Sequence, residues 1–405
     1  MNIKPVKKNQ VIKLLKKIKL NNLKSEKISL INAKGRILSS DITSSINLPP
    51  FNNSAVDGYA IRDKDLNNKK KFQCLYRIAA GDNKRIILKS NKVARIFTGA
   101  LMPKNSSTVI MQENITKKND VIYFNKIPKK GENCRLFGED IKKGKKILLA
   151  GDIITSSNIN LIAAIGKNQI EVKKKLKIGY FTSGNELKNP KESLNNSEIN
   201  NSNKFSLFSF LKNSTIDSKY LGVLKDSKSK ILKLLNLNIN KFDVIITAGG
   251  ASVGEEDHLI DILKEKGKVF FWKIAIKPGR PLAVGKIKNT IIICLPGNPV
   301  SVHLLYGMII KPFINYLGGS KFILPSCVNA YANFDMKKKT ERMEWLRVNI
   351  DRTNDKEIYL NKYPKQGSGI ISSIAYSDGV IEIPENVKKI KKGDKFNFYS
   401  FKNIF

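Results

Sequence analysis

From Lys177 to Gly318 the chain alternates strand and helix patterns, an order that few architectures accept. The runs "KIGYFTSG", "SKYLGVL", "FDVIITAGG", "VFFWKIAI" and "NTIIICLPG" are short, β-branched and bounded by turn residues. Between or after them, "FSLFSFLKN", "SKSKILKLLN", "LIDILKEKG" and "PVSVHLLYGMIIKPFINYL" carry helical spacing. Such alternation buries its apolar faces by laying helices on a parallel sheet, so an α/β domain is predicted here. Ligands of open α/β sheets sit beyond the carboxyl ends of the strands. Those ends are "TSGNEL" with Thr182, Ser183, Gly184 and Glu186; "GGASVGEEDH" with Gly249, Gly250, Ser252, Gly254 and Asp257; and "LPGNPVS" with Gly297, Asn298 and Ser301. Any one of them reads as an ordinary capped turn. All three together, with acids kept in a basic chain, read as a binding rim of amides, hydroxyls and carboxylates.

The rim is of neither common nucleotide type. The chain has no G-x-x-x-x-G-K-[ST] and no strand-associated G-x-G-x-x-G, which argues against a Walker site and a dinucleotide site. In "KIAIKPGRPLAVG", Lys277 and Arg280 flank a Pro-Gly turn and Pro281 stiffens its far side. Two cations fixed at that spacing suit a small tetrahedral oxyanion, against the plainer reading of two solvated side chains.

The flanks are built differently. With 405 residues the chain exceeds one growing core, and two to four domains are expected. "NQVIKLLKKIKL" has an amphipathic helix pattern, "ISLINAKGRILSSDI" is strand-like and ends at the Pro49 and Pro50 breaker, and a β-rich stretch runs to about Asp140. Within it, "PPFNNSAVDGYAIR" isolates one acid, Asp57, among backbone-shaping residues. "KKILLAGDIITSSNINLIAAIG" restores helical spacing, and from about Ile323 short strand-like runs predict a small barrel or sandwich. "KNPKESLNNSEINNSNK" reads as a surface loop leading into a helix.

Composition removes several functions. The four cysteines form no C-x-x-C pair and there are two histidines, so a metal site must use oxygen ligands, which favours Mg²⁺ over zinc. The formal charge of +39 invites a nucleic-acid reading. The lysines, however, run along the whole chain together with Asn and Ile, a bias that an A/T-rich coding sequence produces, and no nucleic-acid-binding signature is present. The longest apolar run is interrupted around Pro296–Pro299 and no signal peptide opens the chain, so no membrane contact and a cytoplasmic location are expected.

The motifs "NSAVDGYAIR", "FTGALMP" with "VIMQE", "GEDI", "TSGNEL", "GGASVGEEDH", "KPGRPLAVG", "LPGNPVS" and "QGSGIISS" follow one another in an order that resembles the molybdopterin molybdenumtransferases, the MoeA family that includes the E domain of gephyrin. The resemblance covers essentially the whole chain. It implies an elongated α/β plus β subunit with the α/β domain at 1–24 and 172–322, a linking domain at 25–48 and 141–171, a β-rich domain at 49–140 and a C-terminal β-barrel at 323–405. It also implies molybdate insertion into adenylylated molybdopterin with Mg²⁺ and release of AMP, by a homodimer in which Asp57 enters the partner subunit's cleft. A molybdopterin adenylyltransferase and recipient molybdoenzymes are the implied partners.

Carried over residue by residue, the resemblance implies a catalytic set of Asp57, Thr98, Asp140, Glu186, Asp226, Asp257, Lys273 and Lys277, with Glu186, Asp226 and Asp257 supporting the metal. Ser183, Gly250, Ser252, Gly254, Gly297 and Asn298 are expected to bind molybdopterin; Lys277, Arg280, Pro281, Ser301, Arg347 and Ser368 are expected to form the molybdate pocket. Three positions depart from the family pattern: Asn52 replaces an acid, Asn185 stands before Glu186 where an acid is frequent, and His258 follows Asp257 where Tyr is common. The alternatives are a scaffold of the gephyrin type, a molybdopterin adenylyltransferase and a basic nucleic-acid-binding protein. Retention of Asp57, Glu186 and Asp257 favours the transferase.

Overall fold

The computed structural model describes residues 4–20, 23–66, 71–126, 128–225, 227–250, 258–338, 341–353 and 357–405. The β-rich region forms a six-stranded sheet from β1 (Gly58–Ile61), β2 (Lys71–Ile78), β3 (Lys92–Ile96), β4 (Thr108–Met111), β5 (Ile115–Lys118) and β6 (Val121–Phe124), in the order β4-β1-β3-β2-β6-β5. Successive strand residues face opposite sides, so Tyr59 and Ile61 enter one apolar cluster while Ala60 enters the other. Both faces of β1 are therefore covered, which is why "GYAI" is buried throughout.

The linking region closes by antiparallel pairing of Ser25–Ser29 with Gln169–Lys173, which brings two distant stretches into one small core around Leu38, Ile154, Ile162 and Val172. Its helix, Ser156–Ala164, starts at Thr155, whose hydroxyl accepts the Asn158 amide at 3.2 Å.

The α/β sheet contains β7 (Leu176–Ser183), β8 (Ile216–Leu224), β9 (Val244–Ala248), β10 (Lys268–Trp272), β11 (Ala283–Ile287) and β12 (Thr290–Leu295), in the order β8-β7-β9-β12-β11-β10. The first four strands in that order pair in parallel, as the alternating pattern predicts. Beyond them β11 runs against its neighbours, because the short Lys288–Asn289 connection to β12 can close only a hairpin. The strand-like "VFFWKIAI" also divides: its last part, Ile276–Lys277, leaves the sheet and pairs with the C-terminal domain.

The helical run Pro299–Leu317 is long and apolar enough to cross a bilayer by length and composition, yet 78% of its apolar window is buried inside the protein. Pro312 has no N–H to donate, and the run widens into a π turn over Tyr306–Ile310 just before it.

At the C-terminus, β13 (Val328–Ala332), β14 (Met343–Asp351), β15 (Tyr359–Lys362), β16 (Gly379–Ile383) and β17 (Lys395–Ser400) close a five-stranded barrel, since β16 pairs with both β17 and β14. The barrel and the α/β domain share a core: Trp345, Val380 and Tyr399 pack in the same cluster as Val11, Leu15 and the Pro299–Leu317 helix. Lys8, on the N-terminal helix Lys8–Leu15, bonds the Glu382 carboxylate and lies 6.0 Å from the Trp345 ring and 5.8 Å from that of Tyr399. Trp345 is fully buried, and truncating such a ring costs about 3–5 kcal/mol.

Candidate functional site

The shared core carries a cavity of about 580 Å³ between the two domains. Its α/β wall is the loop Lys277–Pro281 with Asn298 and Ser301; its barrel wall includes Glu344, Arg347, Gln366 and Ser368. The loop is held because Ile276–Lys277 pairs in parallel with Met343–Glu344, a register that sets Lys277 beside Glu344 with Nζ and Oε1 2.8 Å apart. The Lys277–Pro278 bond is cis and Gly279 has φ +107°. A Cβ at Gly279 would lie 2.9 Å from Leu305, so glycine is needed at this close turn. From the barrel side, the Ser368 carbonyl accepts the Val300 amide at 3.1 Å and pins its loop to the start of the Pro299 helix.

Arg347 is the informative wall. It is 1% exposed, donating through Nε to the Ser373 hydroxyl at 3.1 Å and through Nη2 to the Gly367 carbonyl at 3.2 Å. Among the described residues no carboxylate lies within ion-pair distance of it. Burial pushes its guanidinium down to about 10, with Glu344 opposing the shift. Arg342, another wall residue, is pushed down by burial and then by the neighbouring charge of Arg280. Crowded, poorly solvated cations of this kind are stabilised by an entering anion. The cavity thus gathers the whole expected molybdate set: Lys277, Arg280, Pro281, Ser301, Arg347 and Ser368.

Asn298 also lines a second cavity, of about 280 Å³, together with Ser183, Glu186 and Gly297 at the strand ends. A Cβ on Gly250 would lie 3.6 Å from the Ser183 hydroxyl, so that expected residue borders the same place. The Glu186 carboxylate folds over Gly184: its oxygens would be 2.5 and 2.6 Å from a Cβ there, at a backbone φ of +151°. Ser252, Gly254, Asp226 and Asp257 lie outside the described residues. Among the described residues, no group of three or more His, Cys, Asp or Glu side chains forms a metal site.

Asp57 stands elsewhere, just before β1. Its Oδ1 accepts both the Thr98 amide at 2.8 Å and the Thr98 hydroxyl at 2.7 Å. These bonds, the backbone one first, hold the carboxyl below its ordinary value of 3.8, with a smaller contribution from Arg95. Neither Asp57 nor Thr98 lines either cavity of its own chain. Asp140 is exposed, and its amide donates to the Leu48 carbonyl at 3.1 Å. Lys273 is buried at φ +69°, with Nζ 4.3 Å from the Trp272 ring, and it lines neither cavity.

Several contributors were not legible. Glu344, Arg342, Lys337 and Lys362 come from C-terminal segments whose sequence reads as ordinary strand and turn, while Gln366 opens the motif "QGSGIISS" without being singled out there. Asn201, Ser202 and Asn203 belong to the segment that reads as a surface loop, yet they line the second cavity. Asn203 donates to the Gly297 carbonyl at 2.6 Å, while its buried Oδ1 has no partner among the described residues. The departure at Asn52 has a local role, its Oδ1 accepting the Phe137 amide at 2.7 Å.

Residues 6–166 match the MoeA N-terminal region (domain I and II), 179–316 a probable molybdopterin binding domain, and 329–401 the MoeA C-terminal region (domain IV). The molybdopterin molybdenumtransferase of Haemophilus influenzae is 33% identical over 382 residues, spanning 94% of this chain and 95% of its own. A putative molybdopterin biosynthesis protein of Methanocaldococcus jannaschii is 31% identical, spanning 94% of this chain and 93% of its own. In solved structures, the molybdopterin biosynthesis MoeA protein of Pyrococcus horikoshii superposes with a TM-score of 0.82 at 27% identity, covering 98% of this chain and 100% of that one.

Proposed function

The chain belongs to the MoeA family of molybdopterin molybdenumtransferases, and we propose that it inserts molybdenum into molybdopterin in cofactor biosynthesis, consuming molybdate and adenylylated molybdopterin and releasing AMP. One observation carries the reading: a guanidinium buried to 1% exposure, with no carboxylate partner among the described residues, lines a cavity whose other polar groups suit a tetrahedral dianion. Arg347 and Arg280 bind molybdate oxygens, and the hydroxyls of Ser301 and Ser368 donate to the remaining ones. Lys277 turns from Glu344 toward the anion. The strand-end cavity, joined through Asn298, takes the phosphorylated pterin side chain against Ser183, Gly250 and Gly297.

The donor chemistry fits a hard cation: Glu186 offers an exposed carboxylate at that cavity, and the resemblance assigns Asp226 and Asp257, which lie outside the described residues, to the same cation. When bound, Mg²⁺ neutralises charge on the phosphate oxygens of the departing AMP. The acid that orients the attacking water is Asp57, kept ionised by Thr98 and acting through the oxygen that Thr98 leaves open. Since neither Asp57 nor Thr98 lines either of these two cavities in its own chain, a homodimer that presents them to the partner subunit's cavity is proposed with the reaction. The enzyme then works in the cytoplasm, between a molybdopterin adenylyltransferase and the recipient molybdoenzymes.

Incubation with adenylylated molybdopterin, molybdate and Mg²⁺ should release AMP in proportion to molybdate bound. AMP release indifferent to molybdate sinks the reading. Light scattering of the active protein should give a dimer mass; a fully active monomer contradicts the subunit arrangement.

A further inference from the structure

The amino end of the α/β sheet, opposite the strand ends just described, carries a third cavity. It has a volume of about 450 Å³, and Lys17, Lys19, Lys268, Lys286 and Lys288 line it with Phe270. Among the described residues none of these five lysines pairs with a carboxylate. The nearby acids of the helix His258–Lys266 are engaged elsewhere, Glu265 with Lys228 at 2.6 Å and Asp261 with Lys264 at 3.2 Å. In addition, Lys268 and Lys286 face each other directly across the antiparallel β10 and β11 pair. Like charges opposite one another weaken a sheet, so this pairing is a local cost that a bound anion would relieve.

We propose that this basin binds the phosphate chain of a polyphosphorylated small molecule. Its size is that of a small-ligand site. Ammonium groups are compact point charges without the planar fork of arginine, so five of them select charge density rather than one bidentate geometry. Consecutive phosphates supply that density, whereas the carboxylates of an acidic peptide are spread along its backbone. Phe270 is half-buried on the same wall, with Lys268 Nζ 5.9 Å from its ring, and offers an apolar face beside the charges. Inorganic polyphosphate and a nucleoside triphosphate share the phosphate-chain chemistry.

Calorimetry on the full chain, with molybdate saturating, tests this with tripolyphosphate, ATP and hexaglutamate as probes. Lys268→Ala/Lys286→Ala should weaken tripolyphosphate binding about tenfold or more, while Lys117→Ala/Lys118→Ala on the exposed β5 stays within about twofold. The difference should persist at about 0.15 M salt, where distant charges are screened. Lys288→Ala, on the exposed hairpin, replaces the double variant if that does not fold. ATP binding more tightly than tripolyphosphate identifies a nucleotide; equal affinities identify the phosphate chain alone. Equal losses in the two double variants overturn the proposal, as does tighter binding of hexaglutamate, or a loss confined to Arg280→Ala.

Discussion

The cavity between the α/β domain and the barrel and the Asp57 edge of the β-rich domain solve the problem of holding a charge in opposite ways. Arg347 is buried, its cation disfavoured by desolvation, and on the proposed function molybdate neutralises it. Asp57 sits at the surface, and its anion is favoured by two bonds from a single residue, Thr98. The first arrangement stores binding energy for an anion. The second prepares an ionised acid with one oxygen left open. On the proposed function binding and chemistry are therefore separable, and substitutions should divide them.

The largest effect is expected at the edge. Asp57→Asn should lower the rate of AMP release about hundredfold or more, in the range for loss of a positioned proton acceptor, while the molybdate Kd stays within about twofold. A parallel loss of molybdate affinity would break the division. Next comes Arg347→Met, which should weaken molybdate roughly 10- to 100-fold by calorimetry, the worth of charged hydrogen bonds. Unchanged affinity would remove the buried guanidinium from the anion site. Glu344→Gln should act with the opposite sign, because it deletes a negative charge and frees Lys277: molybdate should tighten about two- to fivefold.

The smallest effect concerns pH. The folded state holds the Asp57 carboxyl below 3.8, so its stabilising contribution is complete well above that value and is lost as pH falls through the lower, folded one. The Tm difference between wild type and Asp57→Asn should therefore stay constant from neutral pH down to about 4 and narrow only below it. Narrowing that begins near pH 6 would show that the carboxyl is not held in its ionised form.

The same contrast divides what could be read in the chain. At the edge, Asp57 stands out in "NSAVDGYAIR" by its isolation, whereas Thr98 is named through resemblance alone and its bonds to Asp57 come from the structure. The α/β wall was legible from the strand ends and from "KPGRP". On the barrel side of the cavity, resemblance alone names Arg347 and Ser368, and nothing in the sequence names Glu344, since its place beside Lys277 depends on a two-residue strand pairing between domains. Asn201 and Asn203 looked like loop residues because polar, Asn-rich composition is what an exposed loop shares with the lining of a polar cavity.

By itself, the sequence determined the local elements: the strand runs, the helices and the turns, whose preferences act over a few residues. It also determined the parallel centre of the sheet, because helix-length connections between strands allow little else. Only the tertiary structure decided that β11 runs antiparallel beyond that centre, that Lys277 lies against Glu344, and that Arg347 is buried with no counterion among the described residues. The reason is that burial and pairing are properties of surfaces brought together. Lys277 and Glu344 are separated by 67 positions, and no local preference of either predicts a contact that exists only after two domains share one core.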